Sequence, residues 1–275
     1  MQVLQWGDPV GNWIAQLSTQ SGKLVLRAPS FPLSLGPTKH WKSSFIPLDS
    51  DLTPGVYTLE ILNSQGQRLS QGAVRLLHRD FIHEDIPLSR DLTQLRSVPD
   101  PQKEAEAREI QDLYQQFNSW ALYHRGSVSL PIVEAYRETS FYGDRRRYIY
   151  SDGTTARSFH LGMDLAAPTG TPLTAPAPGR VVLAKSRIVT GLTVVIEHMP
   201  GVYSVYMHLH RSLVTLGQWV GQGDSLGTIG STGLATGPHL HWEWRVNGIA
   251  VDPKVFLTHG LLDKVWVSTI MNASP

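Results

Sequence analysis

The sequence predicts a mainly β protein of more than one domain, and three observations carry that expectation. The chain has 275 residues, room for about two domains of about 100 to 200 residues each, and its hydrophobic fraction of 41% supplies packed cores. Short β-rich segments recur between Gly- and Pro-containing breaks along most of its length. A stretch free of Gly and Pro after Pro101 has apolar residues three and four apart, the spacing of a helix. The expected organisation is an immunoglobulin-like β-sandwich over 1–80, a helical connector over 81–126 and an antiparallel β-sheet domain with a groove over 127–275.

In chain order, the first module rests on β segments at 23–27, 56–61 and 73–77, separated by Pro-Gly, Asn-Ser-Gln-Gly and Ser-Gln-Gly breaks. The connector helix rests on Glu104, Ala105, Ala107, Ile110, Leu113, Tyr114 and Phe117. The last domain rests on strands at 180–184, 192–197, 202–207 and 239–246, with no helix-length crossovers between them, hence antiparallel pairing. Arg145, Arg146 and Arg147 form a basic run read first as a solvated loop and second as a contact for acidic substrate groups. Gly227, Gly230, Gly233 and Gly237 suit loops walling a groove, or ordinary hairpin turns.

Composition narrows the function. Twenty-four Lys and Arg against 23 Asp and Glu leave a formal charge of +1, so no global field draws the protein to nucleic acid or an anionic membrane. No run of about 18 apolar residues suggests a transmembrane span, and the residues from Met1 to Trp6 lack the basic and apolar regions of an export leader. The absence of cysteine excludes disulfides, thiolate ligands and a cysteine nucleophile, so any metal must use His and carboxylate.

Eleven His are available, and some are grouped. His208-Leu209-His210 and His239-Leu240-His241 each place two imidazoles on one face of a strand. His160 and Asp164, four residues apart, can converge on a turn or loop. With one more His they would make a three-ligand zinc site with an open fourth position, the mark of a catalytic centre.

Around these residues the sequence resembles the lysostaphin/LytM-type zinc peptidases of bacterial cell walls. The first matching motif runs from Phe159 through His160, Gly162 and Asp164 to Pro168. Next come Gly170-Thr171-Pro172, Ala175, Gly179-Arg180-Val181-Val182, Tyr206-Met207-His208-Leu209 and Gly230-Ser231-Thr232-Gly233. The last runs from Gly237 through His239 and His241 to Glu243. The resemblance covers residues 140–255 and does not extend to the N-terminal module.

It implies that His160, Asp164 and His241 hold one Zn2+ per chain and that His208 and His239 are the catalytic imidazoles. Between them these two would share general-base work and transition-state stabilisation. The implied activity is zinc endopeptidase cleavage of cross-linking or stem peptides of peptidoglycan, in cell-wall remodelling. The alternative is a non-catalytic regulator that binds and activates a cell-wall amidase.

Because that substrate lies outside the cytoplasmic membrane, an exported, periplasmic protein is expected, with its leader absent from the given chain. The N-terminal module reads as an adaptor that docks a regulatory protein partner. His210 reads as an exposed His, His198 as structural, Trp242 and Trp244 as sheet packing. His40, His78, His83, His124 and His259 lie outside every motif. The insertion from Tyr142 to Arg157 could bring Asp144 or Asp152 to the open metal position.

Overall fold

A computed structural model describes residues 2–6, 12–34, 40–121, 123 and 126–262. His124 lies outside the described residues. The chain divides into two compact units, residues 1–80 and 81–275.

Among the described residues the first unit has seven strands: β1 (Gln2–Trp6), β2 (Trp13–Thr19), β3 (Leu24–Pro29), β4 (Phe31–Ser34), β5 (His40–Ile46), β6 (Gly55–Asn63) and β7 (Arg68–Leu76). They form two antiparallel sheets, ordered β1-β5-β4 and β3-β2-β6-β7. Burial alternates along β2 and β6: Trp13, Ala15 and Leu17 are buried, as are Tyr57, Leu59 and Ile61. This period of two makes each sheet amphipathic and gives the unit its core.

In the second unit, residues 81–126 carry more than the expected helix. A short strand, β8 (His83–Pro87), precedes α1 (Arg90–Ser97) and α2 (Pro101–Gln115). Side-chain oxygens cap both helices: Ser89 accepts from Leu92 N, and Asp100 accepts from Gln102 N and Lys103 N. Pro101 sits in the first turn of α2, where its missing N–H costs nothing.

There follow β9 (Arg137–Ser140), β10 (Arg145–Ile149), β11 (Thr155–Phe159), β12 (Met163–Ala166), β13 (Pro172–Thr174), β14 (Gly179–Arg187) and β15 (Gly191–Met199). The chain continues through β16 (Val202–Ser212), β17 (Trp219–Val220), β18 (Ser225–Ile229), β19 (His239–Val246), β20 (Ile249–Val251) and α3 (Pro253–His259). Among the described residues the main sheet has ten strands; its central path is β17-β14-β15-β16-β19-β12-β9, and every pairing described in it is antiparallel.

One face of that sheet packs against α2: Leu113 and Tyr114 join Leu183, Val195, Tyr203 and Val205 in a single cluster. Trp242 and Trp244 are fully buried, the packing role expected of them. A second small sheet, β11-β10-β8, joins β8 in parallel to β10. The run Arg145 to Arg147 is therefore not a solvated loop. It lies in β10, which the flanking strands turn into a paired strand, and two of its guanidinium groups take carboxylate partners.

Candidate metal centre

Two adjacent strands of the main sheet bring the site together. Asp164 on β12 sits directly across from His241 on β19, and Ala166 sits across from His239. Along β19 the side chains alternate, so His239, His241, Glu243 and Arg245 share the groove face while Trp242 and Trp244 fill the other. His160 lies just past β11. Gly162 lets the intervening turn lie flat on β19, because any Cβ there would be driven into the Trp242 carbonyl oxygen and the Glu243 side chain.

His160, Asp164 and His241 offer three ligand atoms within 4.8 Å of one another. Asp164 Oδ1 is 3.0 Å from His160 Nε2 and 2.8 Å from His241 Nδ1. The far ring nitrogens are already engaged: His160 Nδ1 is 2.8 Å from the Phe141 carbonyl and His241 Nε2 is 2.9 Å from Glu243 Oε1. Such outer partners fix which nitrogen faces a metal. Two imidazole nitrogens and one carboxylate oxygen, all buried, make a donor set that fits a zinc-like ion with room for a further ligand.

Electrostatics match the geometry. Burial opposes ionisation of Asp164, but hydrogen bonds from His160 and His241 outweigh it and hold the carboxyl well below its usual range. Burial likewise opposes a charge on His241, yet Asp164 and Glu243 push its pKa up to about 9. Without metal, His241 is thus an imidazolium between two carboxylates, whereas burial lowers the pKa of His160. Glu243 is lowered to about 2, burial being outweighed by Arg245 and His241.

His208 and His239 stand beside the trio with ring centroids 4.8 Å apart. His208 Nδ1 lies 2.7 Å from the Thr232 carbonyl, and His239 Nδ1 lies 2.8 Å from the Gly237 carbonyl. Carbonyls only accept, so both rings carry their proton on Nδ1 and leave Nε2 as the free base. His239 Nε2 is 3.8 Å from Asp164 Oδ1. Burial, then the nearby His239 and His241, lowers the His208 pKa to about 3. At neutral pH His208 is therefore uncharged.

The backbone of His208 has φ 62°, in the left-handed region, at an irregularity of β16. A non-glycine residue held there is strained, and such strain concentrates at working sites. His208 N is held by the Thr190 carbonyl at 2.9 Å. Gly233, with φ +73°, packs so tightly on Gly191 that no side chain fits.

The remaining sequence expectations sort cleanly. His198 is fully buried and bonded to the Pro178 carbonyl and Ser204 Oγ, and His210 is exposed on β16. The carboxylates expected to swing toward the metal position have other partners: Asp144 accepts from Phe141 N and Asp152 closes the turn to Thr154. Instead the insertion delivers Arg146, whose Nη2 donates to Asp164 Oδ2 at 2.6 Å. Glu84 on β8 accepts from Arg146 Nε at 3.1 Å and from Ser140 Oγ at 2.8 Å. Sequence reasoning missed this support; the Arg run marked the strand, but nothing local linked it to Glu84, 62 residues away.

Residues 158–253 match the profile described as Peptidase family M23. An uncharacterised metalloprotease of Haemophilus influenzae is 37% identical over 130 residues, 47% of this chain and 27% of that protein. Peptidoglycan DD-endopeptidase ShyC of Vibrio cholerae is 44% identical over 95 residues, 34% of this chain and 22% of that one. The chain thus spans about a quarter of the length of these curated relatives. A crystal structure from Pseudomonas aeruginosa assigned to peptidase M23 is 26% identical, covers 93% of this chain and 92% of its own, and superposes with a TM-score of 0.59. With His160, Asp164, His208, His239 and His241 all inside the matched stretch, residues 158–253 are a peptidase family M23 domain.

Proposed function

We propose that the protein is a zinc-dependent endopeptidase that hydrolyses cross-linking or stem peptides of bacterial peptidoglycan. The observation that carries this reading is the convergence of a buried two-His, one-Asp donor set with two imidazoles whose free Nε2 atoms border the same cavity. His160 Nε2, His241 Nδ1 and Asp164 Oδ1 would hold the ion. A zinc ion so bound lowers the pKa of coordinated water to about 7 and polarises a carbonyl.

The chain's own residues do the rest. His208 and His239 each have Nδ1 engaged by a main-chain carbonyl and present Nε2 to the cavity, the side from which an imidazole can take a proton from an attacking water. Once protonated, the same imidazole donates a hydrogen bond to a developing oxyanion or returns the proton to the leaving amine. Substrate class is supported by the names of relatives, such as the peptidoglycan DD-endopeptidase of Vibrio cholerae.

An exported, periplasmic location follows from that substrate; no helix among the described residues is long and apolar enough to cross a membrane. We read the two antiparallel sheets of residues 1–80 as an immunoglobulin-like module, 81–126 as its connection to the peptidase domain, and the module as the docking surface for a regulatory protein. Digestion of purified sacculi with zinc-loaded protein, followed by mass analysis of released muropeptides, tests the reading. Cleaved cross-links support it; intact sacculi together with stimulation of an added amidase would favour the regulator.

A further inference from the structure

His208 is held at two points, and both depend on one turn. Its main-chain N donates to the Thr190 carbonyl at 2.9 Å, and its Nδ1 donates to the Thr232 carbonyl at 2.7 Å. Thr190 belongs to the turn 188–190 that joins β14 to β15. The segment bearing Thr232 is fastened to the same place. The Val189 carbonyl accepts from Leu234 N at 2.8 Å, Leu192 N donates to Thr232 Oγ1 at 2.9 Å, and Gly191 and Gly233 meet too closely for a side chain on either. Val189 and Thr190 border the cavity together with His208.

The other side of this turn is tied to α2. Glu106, buried on that helix, accepts from Ile188 N at 2.8 Å through Oε2, and Gln102 Nε2 donates to its Oε1 at 2.9 Å. Arg187 Nη2, at the end of β14, donates to the main-chain carbonyl of Glu106.

An N–H in a turn lies beyond the strand ladder and needs an acceptor from elsewhere, and a buried carboxylate is tolerated where its oxygens are hydrogen-bonded. Glu106 meets both requirements with one oxygen on the turn and the other on its own helix. Such a directed bond fixes the position of the turn, whereas apolar packing of α2 on the sheet tolerates sliding. His208 needs a fixed turn because its φ of 62° persists only where the surroundings over-determine it. A turn that shifts lets the His208 backbone relax and swings Nε2 away from the cavity.

We propose that Glu106 is a positioning residue for His208: by fixing the turn 188–190 from α2, it holds the imidazole in the tautomer and orientation that present Nε2 to the cavity. Because α2 lies outside the matched stretch 158–253, this makes a helix beyond the M23 domain a working part of the site. The proton-transfer role of His208 rests on the peptidase reading; the placement of its ring does not.

The test uses the full-length, zinc-loaded protein with isotope-labelled histidine and has two readouts. One is the Nδ1–H nuclear magnetic resonance signal of His208, assigned by its loss in His208→Ala; the other is kcat and KM for a soluble cross-linked muropeptide. Glu106→Leu removes the acceptor for Ile188 N, Glu106→Gln keeps an acceptor oxygen without the charge, and Gln102→Ala, at an exposed site, frees one side of the carboxylate. Glu106→Leu should open the His208 Nδ1–H to solvent exchange and lower kcat about 10- to 100-fold at unchanged KM, the scale of a small misplacement in a reacting site. Glu106→Gln should restore both readouts, and Gln102→Ala should move both in the same direction by less.

A Glu106→Leu protein that melts earlier yet keeps the His208 signal and kcat overturns the proposal, since Glu106 then does no more than dock the helix. If Glu106→Leu does not fold, Gln102→Ala decides, and an unaltered signal and kcat in that variant overturn it. If the unmodified protein leaves the muropeptide intact while the signal responds to Glu106→Leu, the positioning stands and the peptidase reading fails. If every form cuts with the same kcat and shows the same signal, the peptidase reading stands and the positioning fails.

Discussion

Arg146 Nη2 donates to Asp164 Oδ2 at 2.6 Å while Oδ1 of the same carboxylate faces His160 Nε2 and His241 Nδ1. The carboxylate is thereby divided: one oxygen is turned to the ligand position and the other is tied to a cation that Glu84 holds in place. Removing the tie frees Asp164 to rotate. Arg146→Met should weaken zinc binding by about 10- to 100-fold, the range for lost outer partners of metal ligands. Competition with a chelating dye measures this, and far-ultraviolet circular dichroism confirms that the sheet persists. Unchanged zinc affinity would make the pair incidental.

The roles within the site are separable. His160→Ala, Asp164→Ala or His241→Ala should lose zinc and activity together. His208→Ala and His239→Ala should keep zinc while turnover falls about 100-fold or more, the loss expected when proton transfer fails. Elemental analysis beside hydrolysis rates distinguishes the classes. Should His239→Ala strip the metal and His241→Ala leave it, the ligand assignment would be inverted.

How much of this was legible beforehand follows from distance along the chain. His160 with Asp164, and His239 with His241, are local pairs whose spacing and flanking glycines declare them, and strands β14, β15, β16 and β19 announce themselves by β-rich runs between turns. The short strands β8 and β10 did not, because a five-residue segment such as His83–Pro87 has little apolar character and gains its structure from parallel pairing with residues about sixty positions later. The same non-locality hid Arg146 from Asp164 and Arg187 from α2. The carbonyls of Phe141, Thr232 and Gly237, which set the tautomers of His160, His208 and His239, are backbone groups that every residue possesses, so no residue type could mark them.

Gly162 offers a test of how tightly the turn between His160 and Asp164 is built. Its backbone passes so close to β19 that an added methyl would meet the Trp242 carbonyl, which is fixed in the sheet and cannot move aside. Gly162→Ala should lower stability by about 1–3 kcal/mol, the usual cost of overpacking, and weaken zinc binding by displacing His160 from Asp164. Thermal melts and metal titration read the two effects. An unaltered melting temperature would mean that the turn has slack.

The metal-free protein should have a stability optimum near neutral pH, and the two limbs have different owners. His241, raised from 6.5 to about 9, contributes stability that is complete below about 6.5 and is lost as pH rises through about 9. His208, lowered from 6.5 to about 3, behaves oppositely: its contribution is present above about 6.5 and is lost as pH falls toward about 3, with lowered His160 adding to the same limb. Glu243, lowered from 4.5 to about 2, extends the acid limb further. Thermal melts of chelator-treated protein should therefore peak near the ordinary histidine pKa and decline on both sides. His241→Gln should flatten the alkaline limb, because no imidazolium is left to titrate there, and should shrink the part of the acid limb that belongs to Glu243, which His241 helps to keep ionised. Zinc changes the alkaline limb for a related reason: a ligating His241 must give up its Nδ1 proton, so binding should release a proton and tighten as pH rises toward about 9. Calorimetry in buffers of different ionisation enthalpy counts that proton, and a count of zero would mean that His241 is not the protonated member of the trio.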